Sequence, residues 1–379
     1  MSIYSNIYEK VSLLIDNRDF IIPNKQPNDS YFPTYLENLL NEYIKFYQNN
    51  LSTFIDDVVP FSDENGVKKK NVTINKIKFL SETIIRTVNL HYEGKTYQAS
   101  KYFIENLNNE SINDLIFSSK VSINTDFYRA RKDDGNQFKA SDLFHINYDL
   151  RHIVSTKRYS IPGLPALYFG NTTYVCWEEF DKSQFRDLWF VKMQNQQELN
   201  VTVIQRIEDF LLDLEKLHDD FKLTYLLSYL VTFPLTLATT IKVKNSKGNF
   251  KPEYIIPQML LEYISNNETI DGIKFPSTKV NYNSLHNLQA YNYVFPVRKI
   301  KESGFCDELT NIFFTTHPTS LNFEEILDNP HRKASVAGFG IPKDDKEIEL
   351  IEEVRVEYNK TAFGKLENKL QKRNLYKIK

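Results

Sequence analysis

The feature that most limits the folds open to this chain is a run of 19 residues, Leu223 to Ile241, with no charged side chain and with Lys222 and Lys242 at its two ends. A helix crossing a bilayer needs about 20 such residues, so the run is either a membrane span or the buried centre of a globular fold. Thr224, Ser228, Thr232, Thr236, Thr239 and Thr240 favour the second, as does Pro234 near the middle. The segment before it points the same way. Ile207 to Leu217 reads as an acidic amphipathic helix, the pattern expected where one helix packs on another in water. The sequence therefore predicts a buried helix broken or kinked at Pro234, whose ring removes an N–H and crowds the preceding turn. Met1 to Phe20 mixes charged and apolar residues without an uninterrupted hydrophobic stretch, and no secretory signal is read there.

Charge and cysteine content narrow the class further. Lysine and arginine total 47 against 49 aspartates and glutamates, a net charge of −2. A chain so close to neutral has no overall field drawing it onto nucleic acid or an anionic membrane, and neither is expected as a partner. Its 41% hydrophobic and 25% charged residues fit a folded globular protein. Cys176 and Cys306 are too few for a disulfide framework, so a reducing, cytoplasmic setting is expected. The 27 Phe and 23 Tyr predict a ring-rich core and ring-lined pockets.

Organisation follows from periodicity. Tyr35, Leu36, Leu39, Leu40, Tyr43, Ile44 and Tyr47 form one apolar helical stripe, and the region 1–120 is expected to be mainly helical. A polar turn is read at Ser62 to Asn71. Near Lys120 the texture changes to short strands punctuated by Gly, Pro and Arg, which continue to Phe180. A strand at Leu188 to Met193, helices at about 206–218 and 222–240, and a helix at Tyr254 to Ile264 carrying Pro257 come next. Short β-like runs at Gly272 to Phe275 and Tyr291 to Val297 follow, then a charged helical end. This is an α+β pattern without regular strand–helix alternation. Three regions result: a helical region 1–120 of unassigned role, a core at 121–300 and an extension at 301–379.

Common chemical signatures are missing. No phosphate-binding G-x-x-x-x-G-K-[ST] loop and no G-x-S-x-G elbow occur, and Gly338-Phe339-Gly340 is a lone G-x-G. The seven histidines show no metal-ligand spacing, so no metal is expected. His145 and His152 read as structural or surface groups, and the two cysteines as small buried hydrophobes. The stretch Arg129 to Arg158 stands apart, with seven basic side chains against four acidic ones. In Phe127-Tyr128-Arg129-Ala130-Arg131 a strand would put Arg129 and Arg131 on one face, a fork suited to a phosphate or pyrophosphate. Downstream, Glu178 and Glu179 follow an apolar run beside Trp177, where a carboxylate could sit at the edge of a ring-lined pocket.

FYRAR at 127–131, RYSIPGLPALYFG at 158–170, YVCWEE at 174–179, EYIIPQML at 253–260 and DGIKFPST at 271–278 together resemble the RES-domain family, over roughly residues 125–298. The resemblance implies a core similar to that of ADP-ribosyltransferase toxins and an enzyme breaking the nicotinamide–ribose bond of NAD⁺, by hydrolysis or phosphorolysis. It implies a toxin or defence effector with an antitoxin or regulatory protein as partner; a homo-oligomer is a separate expectation that the resemblance does not supply. Arg129 matches the family's Arg, Ser277 its Ser, and Glu178 or Glu179 its Glu, with Tyr168 spacing favouring Glu179. Arg158 and Tyr159 match an Arg-aromatic pair before the Pro-Gly turn, although Ser160 stands where relatives often have Asn.

The residue types suit that chemistry. Nicotinamide leaves as a neutral group from a cationic N-glycoside, so no acid need protonate it. What is needed is stabilisation of an oxocarbenium-like ribosyl centre and a grip on the dinucleotide. A carboxylate serves the first, and Arg129 with Arg131 or Arg158 serves the second. Ser277 could bond a phosphate or orient the Glu, and Tyr159, Tyr168 or Trp177 could pack on a ring. NAD⁺ is then substrate rather than cofactor, with inorganic phosphate as co-substrate in the phosphorolytic version. Two other readings stay open: an ADP-ribosyltransferase acting on a macromolecule, and a catalytically silent nucleotide-sensing protein.

Overall fold

The computed structural model describes residues 3–58, 61–62, 68–327 and 345–378. The centre of the turn at 62–71, the Gly338-Phe339-Gly340 motif and His331 lie outside the described residues. The principal helices are α1 (Ile3–Asp16), α2 (Phe32–Asn50), α3 (Val72–Tyr92), α4 (Thr96–Leu107), α5 (Thr173–Glu179), α6 (Ile207–Lys216), α7 (Asp219–Thr239), α8 (Ile255–Ser265) and α9 (Ala362–Gln371). The principal strands are β1 (Ser118–Val121), β2 (Asp126–Lys132), β3 (Ala166–Gly170), β4 (Leu188–Asn195), β5 (Leu199–Val203), β6 (Gly272–Pro276), β7 (Tyr291–Pro296), β8 (Phe313–Thr315) and β9 (Tyr376–Lys377). The class is α+β, as the sequence predicts.

The chain divides into two compact units, neither contiguous in sequence. Unit 1 comprises 1–119, 156–161 and 202–278; unit 2 comprises 120–155, 162–201 and 279–379. The first boundary falls at Ser119–Lys120, where the sequence texture changes. Residues 202–278, which the sequence grouped with the 121–300 core, cluster with the N-terminal helices instead.

Unit 1 is a helical body with the short strands β6, β5 and β1 side by side. The predicted stripe of α2 is its inward face, with Leu36, Leu39, Leu40, Tyr43 and Tyr47 buried. Among the described residues α7 is the one helix long and apolar enough to cross a membrane, and 72% of its most apolar window is buried inside the protein. Of the two expected alternatives, a break or a kink, the break does not occur: α7 runs on through Pro234. Proline at 234 deprives the Leu230 carbonyl of its i+4 donor. The Tyr43 hydroxyl, from α2, donates to that carbonyl at 2.7 Å instead. Pro257 disturbs α8 even less, because it sits in the first turn, where N–H groups need no intrahelical acceptor.

Unit 2 is built on an antiparallel sheet in the order β9-β8-β4-β2-β3-β7. On one face Phe127, Phe169, Phe295 and Phe313 cluster, with Phe127 and Phe169 stacked at 5.1 Å. On the other, Tyr128 and Phe190 pack against Cys176 of α5 and against Leu366 and Leu370 of α9. Gly170 lets α5 close onto β3: a Cβ there would stand 3.0 Å from the Thr172 carbonyl and 3.1 Å from the Cys176 sulfur.

Candidate active site

The residues singled out by sequence separate between the two units, and each group has its own geometry. In unit 2, β2 pairs with β4 along its whole length, from Asp126–Gln194 to Lys132–Leu188. With β3 the described pairing is Tyr128–Gly170. Arg129 reaches over to β3, its Nη1 donating to the Tyr168 carbonyl at 2.9 Å. Burial pulls the Arg129 pKa down to about 10, with the nearby positive charge of Arg131 acting the same way, which leaves the guanidinium charged at neutral pH.

Arg131 lies on the same face of β2 as Arg129, as the strand period predicts. It turns to other partners: Nη1 donates to the Asp142 carbonyl at 3.1 Å, Nη2 lies 3.5 Å from Asp134, and the guanidinium stands 4.5 Å over the Phe138 ring. The two arginines thus share a face without forming a fork on one acceptor in this structure.

The adjacent acids at the end of α5 differ in surroundings. Glu178 is 1% exposed, accepts the Tyr174 hydroxyl at 2.6 Å and lies 3.5 Å from Lys182. Glu179 is partly exposed and accepts from Asn292 Nδ2 of β7 at 2.8 Å. Its own carbonyl accepts from Lys279 Nζ at 2.7 Å. On the other face of β2, the Cys176 thiol donates to the Tyr128 carbonyl. Burial raises that thiol to about 12, with Glu367 and Glu179 acting the same way and the Gly170 backbone and Arg129 opposing them. A thiol so disfavoured as thiolate is no nucleophile.

Tyr168 is partly exposed on β3. Trp177 belongs to the core: its Nε1 donates to the Ser183 carbonyl at 2.6 Å, and its ring lies 5.4 Å from Phe363.

In unit 1 three of the quoted motifs meet. Arg158 Nη1 donates to Thr239 O at 3.0 Å, and Nη2 to Ile241 O at 2.9 Å and Thr278 Oγ1 at 3.1 Å. Its guanidinium stands 5.2 Å over the Tyr254 ring. Thr239 is the last residue of α7, so the cation closes a helix C-terminus, where backbone carbonyls and the helix dipole favour it. Three donors of the arginine expected to grip a pyrophosphate are therefore engaged by protein acceptors. Tyr159 and Ser277 are fully buried, Tyr159 with its ring 4.4 Å from Phe275.

Two groups escaped the sequence reading. Asn292 is the lone amide in the apolar run Tyr291 to Pro296, and an asparagine inside a strand is a signal that could have found it. Glu367 is a partly buried carboxylate on α9 whose Oε1 accepts the Thr173 N–H at 2.6 Å, the Thr173 hydroxyl at 3.0 Å and the Tyr358 hydroxyl at 2.6 Å. Nothing local marks it, because Thr173, which supplies two of the three donors, lies 194 residues away. Among the described residues no cluster of His, Cys, Asp and Glu is placed to hold a metal.

No family model and no solved structure matches the chain. It is 28% identical over 372 residues to "Putative toxin YopC" of Bacillus subtilis strain 168, an alignment covering 94% of this chain and 79% of that protein.

Proposed function

We propose that the protein is a toxin-like enzyme that consumes NAD⁺ by breaking its nicotinamide–ribose bond, with unit 2 carrying the chemistry in a RES-like, ADP-ribosyltransferase-like core. The likeness to a protein named as a toxin supports the first part. The observation that supports the second is that unit 2 holds both Arg129, bonded to the Tyr168 carbonyl, and a partly exposed Glu179 held by Asn292.

In this reading Arg129 holds the pyrophosphate, and its bond to Tyr168 O keeps the guanidinium oriented. Glu179 faces the ribose, where its charge stabilises the oxocarbenium-like transition state, and Asn292 fixes its rotamer. Nicotinamide departs with the electrons of the C–N bond. Water or phosphate then bonds to the ribosyl carbon; with water, the surplus proton passes to Glu179 or to solvent. Glu178, turned inward onto Tyr174, is assigned a structural part. Arg158 and Ser277 act within the frame of unit 1. A cytoplasmic enzyme of this kind would need an inhibitory partner, and an antitoxin is the class proposed.

Incubating the pure protein with NAD⁺, with and without phosphate, and identifying the products tests the reading. Free ADP-ribose marks hydrolysis, ADP-ribose-1″-phosphate marks phosphorolysis, and a labelled macromolecule marks transfer. NAD⁺ left intact in every condition overturns the proposal.

A further inference from the structure

Unit 1 holds a cavity of about 250 Å³, lined in equal parts by residues of the N-terminal region and by residues 244–253. Tyr31, Phe32, Tyr92 and Phe250 line it with rings. Tyr92 lies edge-on to both Tyr31, at 5.4 Å, and Phe250, at 5.7 Å. Tyr31 and Phe250 are 61% and 53% exposed, so the ring lining is reachable from solvent.

Glu253 also lines the cavity and is 1% exposed. Its Oε1 accepts the Lys244 backbone N–H at 2.8 Å, while its Oε2 has no hydrogen-bond partner among the described residues. A buried carboxylate oxygen without a donor is costly, so the cavity calls for a group that supplies one. The ammonium of Lys244 does not fill this role, because it is directed to the Ser30 carbonyl at 3.3 Å. Gln26 Nε2 is likewise bonded to Ser30 O, at 2.7 Å.

Ring faces around a buried acid are the surroundings in which an organic cation is stabilised, by the π-faces along its sides and by the carboxylate at its head. The volume lies below the roughly 300–1,000 Å³ of sites for drug-sized ligands, which restricts the guest to a small head group or one side chain. We propose that this pocket binds an alkylammonium or guanidinium group seated on Glu253 Oε2. The site is independent of the NAD⁺ reading and does not require that reading to hold.

The probes are agmatine and n-butylammonium as free cations, the peptides acetyl-Gly-Arg-Gly-amide and acetyl-Gly-Lys-Gly-amide, and n-butanol as a neutral control, each titrated into the full-length protein by calorimetry. Saturable millimolar or tighter binding of a cation, with n-butanol silent, is expected. Tighter binding of a peptide than of the free cation would assign the guest to a protein side chain, and the reverse to a small amine. Phe250→Ala, at an exposed position, should weaken binding about fivefold to tenfold through the lost ring face. Glu253→Gln should abolish it. No saturable binding of any cation overturns the proposal, as does binding unchanged by Phe250→Ala or equalled by n-butanol. If Glu253→Gln does not fold, the Phe250 variant and the neutral control decide alone.

Discussion

The hydroxyl of Tyr43 makes a bond whose value can be isolated. It donates to the carbonyl that Pro234 strips of its helical partner. Tyr43 is fully buried, and burial holds its hydroxyl protonated far above the ordinary tyrosine range, so it remains a donor at any working pH. Tyr43→Phe keeps the ring contacts with Phe233, at 4.9 Å, and Phe20, at 5.7 Å, and removes only the donor. The Leu230 carbonyl is then buried without a partner, which costs about 1–3 kcal/mol. In a Pro234→Ala background residue 234 regains its N–H and donates to Leu230 O itself, so the same substitution should cost under about 0.5 kcal/mol. The coupling between the two positions is therefore expected at about 1–2 kcal/mol. Urea unfolding followed by far-ultraviolet circular dichroism is the suitable assay, since both tryptophans, Trp177 and Trp189, lie in unit 2 and report on the other half of the chain. Equal cost in both backgrounds would refute the compensation.

Other consequences follow from single sites. His145 is buried, with the Cys306 N–H donating to its Nε2 at 2.9 Å, and burial lowers its pKa to about 4. An unfolded histidine takes its proton near pH 6.5, so between pH 6.5 and 4 the unfolded chain binds more protons. Stability is full above that window and falls by up to about 3 kcal/mol as pH drops through it; His145→Gln should flatten this slope in pH-dependent denaturation. Glu179→Gln should cut NAD⁺ loss by about 10²–10³-fold with the melting temperature kept, whereas Glu178→Gln should lower the melting temperature more than turnover; equal turnover losses would sink the assignment. Glu367→Ala strips three donors of their acceptor and should cost about 2–4 kcal/mol, read by the fluorescence of nearby Trp177. Neither thiol should react with a disulfide reagent until the protein unfolds, because Cys176 and Cys306 are both buried.

How far these features were legible depends on the distance over which each is decided. The stripe on α2, the helix at 207–216 and the strand carrying Arg129 and Arg131 are written in local periodicity, which sterics and burial enforce within a few residues. The persistence of α7 through Pro234 was not, because the rescuing hydroxyl lies 187 residues away. Asn292 left a faint trace as an amide in an apolar strand; Glu367, on an ordinary charged helix, left none. The separation of Arg158 and Ser277 from Arg129 and Glu179 into different units is likewise set by tertiary packing, which a motif order along the chain does not encode.

The crossings at 119/120, 155/156, 161/162, 201/202 and 278/279 also set a timetable for the growing chain. Helices α1 to α4 leave the ribosome first, yet unit 1 lacks material until residue 278 has been made. Arg129 and Glu179 emerge long before Asn292 and α9, so the carboxylate has no amide to hold it on a partial chain. Nascent and truncated products should consequently be inert. For a protein read as a toxin, harm would begin only with completed synthesis.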